Sequence, residues 1–248
     1  MKTIIIIPSR LSATRLPGKP LLKINGLSII SHVVQKAKDT KIGEVFVAAE
    51  DQEIIDDVHE NGGNAILTSN KHKTGTDRIH EALKKIGKLD IELVINLQGD
   101  EPLINIDDIK NLHNKMIKTK SEFGTLASNI LDKKLYQNKS AVKVITKESF
   151  ENSEFPEADK FIRTYNDEIG LKNIYHHLGI YCYRLEILNN FVSYPQSKNE
   201  IKNRLEQCRA LDNNIKIKVA YAKSSSIGVD TEEDFVAIKK IMEYKSWW

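Results

Sequence analysis

The sequence predicts an α/β fold, with a doubly wound, mostly parallel sheet that carries a mixed α+β insertion. Two observations predict it. Four strand–loop–helix alternations follow one another in the first half of the chain, the pattern that builds a parallel sheet with helical crossovers. Their strands are continuous apolar or β-branched runs rather than alternating ones, as strands buried on both faces read.

The elements follow in order. Thr3–Ile7 is a β-branched run ending at Pro8, and Ser28–Lys38 after it is helix-like. Glu44–Ala49 is the second strand, and Asp51 is positioned to cap a helix over Gln52–Asn61. Ala65–Leu67 and Arg78–Lys85 form the third unit, Glu92–Leu97 and Asp107–Lys118 the fourth. The alternation then breaks. Phe123–Ile130, Ala141–Thr146 and His177–Arg184 read as strands without regular helices between them, the mixed insertion. Asn199–Leu211 reads as a helix, Ile215–Ala220 as a strand, and Thr231–Tyr244 as a closing helix with Phe235, Ile238, Ile241 and Met242 on one face. No repeat, low-complexity tract or linker divides the chain, so a single domain is expected over 1–248.

Composition excludes several functions. The chain has 248 residues, 40% hydrophobic and 29% charged, enough for a sizeable core. A formal net charge of +3, with lysine runs scattered and no stacked aromatics among them, argues against nucleic acid. Cys182 and Cys208 cannot build a disulfide framework and are expected as buried free thiols in a reducing compartment. The N-terminal apolar run is too short for a secretory signal, and no stretch approaches the roughly 20 apolar residues of a membrane span. A cytoplasmic protein is expected. Trp247 and Trp248 read equally as a docking anchor or a frayed tail.

The chemistry concentrates after the first strand. Ser9–Leu21 puts Arg10, Arg15 and Lys19 on one short loop, with Gly18 allowing a positive φ and Pro17 and Pro20 stiffening the path. Ligands bind at the carboxyl ends of the strands in such sheets. A triphosphate needs backbone donors, forked guanidinium pairing and a point charge at the reacting phosphate. The loop lacks the glycines and Lys-Ser/Thr pair of a P-loop and the spacing of a dinucleotide fingerprint. Asp100, in Gln98–Pro102, ends a buried strand, and Asp230, in Gly228–Thr231, precedes the last helix. Both carboxylates suit a hard divalent cation carrying phosphates. Asp230 could instead be a helix N-cap, a task that Thr231 could equally perform.

These pieces resemble a known family. Ile7–Arg10 and Thr14–Leu21 (IPSR…TRLPGKPL) are similar to the signature of sugar-nucleotide nucleotidyltransferases, in particular the cytidylyltransferases that activate 3-deoxy-manno-octulosonate (KDO). HKTGTDR (72–78), NLQGDEP (96–102), HHLGIYCYR (176–184), LEQCR (205–209) and GVDTEED (228–234) follow in the family's order, over nearly the whole chain. The resemblance implies a glycosyltransferase-A-like nucleotide-diphospho-sugar transferase fold. It implies a nucleotide-binding half at 1–120, a sugar-binding and dimerisation part at 121–225 and a closing helix at 226–248. The implied reaction passes CMP from CTP to the anomeric hydroxyl of KDO, for lipopolysaccharide synthesis, with release of pyrophosphate. Magnesium is the implied cofactor, held by Asp100 and Asp230, and a homodimer the implied assembly. Arg10, Lys19, Asp100 and Asp230 would be catalytic, and Arg10, Arg15, Gly18, Lys19, Gly75, Thr76 and Arg78 would bind the nucleotide. Gln98, His177, Tyr181, Glu206 and Gln207 would bind the sugar.

Residue patterns leave some of these open. His177, Tyr181 and Tyr183 share a strand face with Gly179 between them, which also fits a core strand with a hydrogen-bonded histidine. Asp77 and Arg78 could form a surface pair. A related acidic sugar, KDO with an 8-amino group or a sialic-acid-like one, and a non-catalytic nucleotide-sugar binding domain are the rival readings. One departure from the family bears on the sugar. Asn138-Lys139-Ser140 replaces an Asn-Pro-Asn, and the following segment carries Glu148, Glu151 and Glu154 without the family's Ser-Arg. Those carboxylates would favour an amino sugar if they faced the substrate.

Overall fold

A computed structural model of the protein describes residues 1–12, 15–88, 90–165, 172–224 and 228–245. Trp247 and Trp248 lie outside the described residues. The chain groups into two compact units, Met1–Ile106 with Ser226–Trp248, and Asp107–Ser225.

The first unit is built on β1 (Lys2–Ser9), whose Ile4–Ile7 run is at most 1% exposed. A short hairpin of β2 (Lys23–Ile24) and β3 (Leu27–Ser28) leads into α1 (Ile29–Asp39). β4 (Glu44–Ala49), α2 (Gln52–Glu60), β5 (Ala65–Leu67), α3 (Gly75–Ile86) and β6 (Ile91–Asn96) follow. The strands pair in the order β6-β1-β4-β5, all parallel, as the continuous apolar runs predicted. Ser9 stands level with Ala49, and Ile6 with Asn96. The loops after β1, β4 and β6 therefore leave the same edge of the sheet.

In the second unit the order is α4 (Ile106–Thr119), β7 (Phe123–Ser128), α5 (Lys134–Gln137), β8 (Lys143–Thr146), β9 (Ala158–Ile162) and β10 (Ile174–Arg184). Then come α6 (Leu185–Ser193), α7 (Lys198–Asn203), α8 (Gln207–Asp212) and β11 (Ile217–Tyr221). The strands run β11-β7-β10-β8-β9, with only β11 parallel to its neighbour. α9 (Glu232–Lys245) returns to the first unit and packs Phe235, Ile238 and Met242 with Ile24, Ile29 and Val229.

Several boundaries differ from the sequence reading, each for a local reason. α3 begins at Gly75 rather than Arg78, because the Thr74 hydroxyl caps it by accepting the Asp77 N–H at 3.2 Å. The stretch read as one helix over Asn199–Leu211 is two, divided where Arg204 turns left-handed at φ 53°. β9 and α6 were not foreseen. Ile241 is 43% exposed and falls off the buried face of α9, unlike Phe235, Ile238 and Met242. Asp51 precedes α2 as expected, but its side chain makes no cap bond there.

Candidate active site

β1 ends beside β4, and the chain then makes the basic loop. Gly18 adopts φ 71°, the left-handed turn that a side chain would strain, and Lys19–Leu21 closes as a single 3₁₀ turn. This turn carries the Lys19 side chain inward, where it is 15% exposed. Its ammonium donates to Asp100 Oδ2 at 2.5 Å, to the Val229 carbonyl at 2.9 Å and to Asp230 Oδ1 at 3.2 Å. Burial pulls Lys19 down, yet the two carboxylates outweigh it and leave the ammonium above the usual lysine range.

The two aspartates arrive from different segments and are fastened together. Asp100 follows β6 through Gln98 and Gly99. A Cβ on Gly99 would stand 3.2 Å from the Pro8 carbonyl, so glycine lets the loop lie close over β1. The Val229 N–H donates to the Asp100 carbonyl at 2.8 Å and brings the segment before α9 alongside. Thr231 performs the capping of α9: its hydroxyl accepts the Asp234 N–H at 3.2 Å, while Asp234 Oδ2 accepts the Thr231 N–H at 2.9 Å. Asp230 is left to face Lys19 and Arg15, whose guanidinium reaches its Oδ2 at 2.8 Å.

A pocket within this unit is lined by Arg10, Arg15, Lys19, Gln98, Asp100 and Asp230, with Pro8, Ser9 and Gly99 behind them. Its opposite wall is His72, Lys73, Thr74, Gly75 and Arg78. Arg10 is exposed and pairs with no carboxylate among the described residues, which leaves its guanidinium open to an anion. Arg78 is not half of a surface pair with Asp77. It is 4% exposed, salt-bridged to Glu50, and donates to Thr68 Oγ1 at 2.7 Å. Thr76 is wholly buried, and the pocket wall there is made by Thr74 and Gly75. Gly18 acts through its backbone and does not line the pocket.

Two hard carboxylates and a carbonyl oxygen converging on one cation are a donor set that fits magnesium. That ion takes one or two protein carboxylates and completes its octahedron with water and phosphate oxygens. No group of three or more His, Cys, Asp or Glu side chains gathers among the described residues, so a fully protein-built cage is not offered.

Apart from Gln98, which lines this pocket, the candidate sugar residues belong to the second unit. His177, Tyr181 and Tyr183 do share one face of β10, with ring centroids 5.7 Å and 6.0 Å apart along the row. This survives the register slip between Leu178 and Tyr181 because the slip is by two residues, which keeps the alternation of faces, and Thr125 donates to the Ile180 carbonyl there at 2.8 Å. The Thr125 hydroxyl also pairs with His177 Nε2 at 2.9 Å. His177 is 6% exposed, and burial pushes its pKa down to about 3, so the imidazole is neutral. This is the hydrogen-bonded core histidine that the strand pattern allowed. Tyr181 and Gln207 are also buried, and Glu206 is half-buried. Burial, then the Glu206 carboxylate, raise the Tyr181 phenol well above its ordinary value.

Burial lifts Cys182 to about 12 and Cys208 to about 11, so neither is a thiolate nucleophile near neutral pH. Glu148, Glu151 and Glu154 are exposed, and Glu154 pairs with Lys115 at 3.3 Å. No helix among the described residues is long and apolar enough to cross a membrane.

A cytidylyltransferase family model matches residues 4–217. A 3-deoxy-manno-octulosonate cytidylyltransferase of Thermodesulfovibrio yellowstonii is 43% identical, covering 98% of both chains. One from Afipia carboxidovorans is 39% identical over 97% of this chain and 96% of its own. The chain belongs to the 3-deoxy-manno-octulosonate cytidylyltransferases. A solved structure of CMP:2-keto-3-deoxy-manno-octonic acid synthetase complexed with CTP superposes with a TM-score of 0.88. It is 33% identical and covers 99% of this chain and 100% of its own. A 4-diphosphocytidyl-2C-methyl-D-erythritol synthase from Anaerococcus prevotii shares the fold at TM-score 0.64 and 17% identity, covering 98% and 99% of the two chains. The chain is thus a nucleotidyltransferase, and its fold is shared with the Anaerococcus prevotii protein.

Proposed function

We propose that this enzyme transfers CMP from CTP to the anomeric hydroxyl of KDO and releases pyrophosphate. The observation that carries the reading is the convergence of Lys19, Asp100 and Asp230 in a pocket flanked by Arg10 and Arg15. The pocket belongs to a chain 43% identical to a KDO cytidylyltransferase.

In-line attack forms a bond from the anomeric oxygen to the α-phosphorus and breaks the bond to the bridging oxygen, which leaves with pyrophosphate. Negative charge grows on the transferring and leaving oxygens. Arg10, with its open guanidinium, and Arg15 and Lys19 beside the carboxylates are the cations that would meet it. Asp100 and Asp230 would hold magnesium, which supplies neutralisation of the phosphate charge when bound. Thr74 and Gly75 on the opposite wall would border the base, and Arg78 would be a fixed cation behind it. Gln98, His177, Tyr181, Glu206 and Gln207 are the residues that the family resemblance assigns to the sugar. Neutral His177 would act as a fixed polar wall rather than as an acid. No covalent enzyme intermediate is needed.

The exposure of Glu148, Glu151 and Glu154 supports surface variation and favours KDO over its 8-amino relative. The family resemblance supports a cytoplasmic homodimer. The test is pyrophosphate release across a matrix of nucleoside triphosphates and acidic sugars, with and without magnesium. Fastest release is expected with CTP, KDO and magnesium together. Equal release with ATP, or a preference for the 8-amino sugar, would overturn the nucleotide or the sugar assignment respectively.

A further inference from the structure

The turn after β4 has no part in the reaction described so far, yet its two residues, Glu50 and Asp51, are turned toward the phosphate loop. Asp51 stands in the N-cap position of α2 with backbone angles suited to capping, φ −109° and ψ 129°, but its side chain makes no cap bond. Its Oδ2 instead accepts the Leu11 N–H at 2.7 Å, across 40 residues of sequence. The adjacent Glu50 receives the Ser12 hydroxyl at 3.3 Å and the guanidinium of Arg78. Leu11 is held from its other side as well, because its carbonyl accepts the Gly18 N–H at 3.0 Å. Gly18 in turn starts the 3₁₀ turn that aims Lys19 at Asp100.

A short chain of bonds thus runs from Asp51 through Leu11 and Gly18 to Lys19, with Arg10 next to Leu11. A helix cap given up for a loop contact forgoes the ordinary stabilisation of a capped helix end. Placing a carboxylate beside a loop that must receive phosphates is also electrostatically unfavourable unless it fixes geometry. We propose that Asp51 is a positioning residue for the phosphate loop, anchoring Leu11 so that Arg10 and Lys19 meet the transferring phosphate in register. The proposal rests on the cytidylyl-transfer reading.

Three variants test it. Asp51→Asn keeps an acceptor of the same length for the Leu11 N–H. Asp51→Ser keeps a good helix cap but is too short to reach Leu11, and Asp51→Ala keeps neither. Misplacing a reacting group by about 1 Å costs up to roughly a hundredfold in rate. The ground state tolerates a loosened cation better than the in-line transition state. We therefore expect D51A and D51S to lose on the order of tenfold or more in kcat, with KM for CTP little changed, and D51N to stay near the parent enzyme. D51S and D51N should melt together. Trypsin should cut after Arg10 and Arg15 faster in D51A and D51S than in D51N, a readout independent of turnover. If the parent enzyme made no CMP-sugar, the reaction assignment would fall while the cleavage rates still judged the anchor. D51S matching D51N in both kcat and cleavage, or D51A losing only thermal stability, would overturn the proposal.

Discussion

Replacing Lys19 with methionine keeps the length of the side chain and removes the charge that binds Asp100, Asp230 and the Val229 carbonyl together. The Asp100 contact is the strong one, since both side chains are mostly covered at 15% and 28% exposure. A charge-assisted hydrogen bond of that kind contributes about 1.5–3 kcal/mol. The Asp230 contact is longer, and its carboxylate is 40% exposed, so solvent screening leaves it under about 1 kcal/mol. The sum is about 1.5–4 kcal/mol, which for a chain of this size lowers the melting temperature by roughly 3–16 °C. Without the ammonium, Asp100 loses its cation and Asp230 keeps only Arg15. Added magnesium should therefore raise the melting temperature of K19M more than that of the parent protein. Turnover should fall by about 10²–10³, the usual loss when one donor to a developing oxyanion is removed. Thermal melts with and without magnesium, beside a pyrophosphate-release assay, read all three quantities. A K19M protein that melts with the parent and answers magnesium no differently would refute the charge balance described for this site.

Other outcomes follow from the same geometry. Asp100→Asn and Asp230→Asn should each cut turnover by at least about a hundredfold in folded protein, as oxygen ligands to a hard cation become weaker. Normal turnover in either variant, with an unchanged circular dichroism spectrum, removes that residue from the cation site. His177 titrates at about 3 folded and near 6.5 unfolded, so its contribution to stability is complete above about pH 6.5. That contribution is lost as the pH falls toward 3, with a slope of up to about 1.4 kcal/mol per pH unit. Urea melts of His177→Gln between pH 6.5 and 4 should show a flatter decline than the parent, and parallel curves would contradict the neutral buried imidazole. Glu200→Ala removes the carboxylate to which the Arg209 guanidinium, 2% exposed, is doubly bonded, and should cost about 3–5 kcal/mol. A loss below about 1 kcal/mol, measured by chemical denaturation, would mean the pair is not the anchor of α7 and α8.

What was legible in the sequence divides along physical lines. β1, β4 and β6 carry uninterrupted apolar runs, and a parallel sheet is the structure that buries both faces of such strands. The basic loop and Asp100 were legible because they follow two of those strands. Asp230 was legible because Thr231 could take over its capping role, and the hydrogen bonds at α9 show that it does. Asp51 was misread for the converse reason: a cap position predicts a local bond, and only the tertiary arrangement reveals the distant Leu11 N–H as its partner. Its place at the mouth of the sheet, one strand over from the basic loop, was the available signal. His72 and Thr74 lay in a quoted motif but were left without roles, since composition cannot distinguish a pocket wall from a loop. β9 and α6 escaped because short elements in a mixed sheet have no sustained period to detect. The split at Arg204 escaped because an arginine at positive φ carries no sequence signature.

The fate of the nucleotide's phosphates tests the central claim most directly. CTP labelled with ³²P at either the α or the γ position is incubated with the enzyme, magnesium and KDO, and the products are separated. The account predicts α label in a sugar conjugate, formed only when KDO is present, and γ label in pyrophosphate. Recovery of γ label on the sugar, or of α label in CMP at an equal rate without KDO, would contradict it.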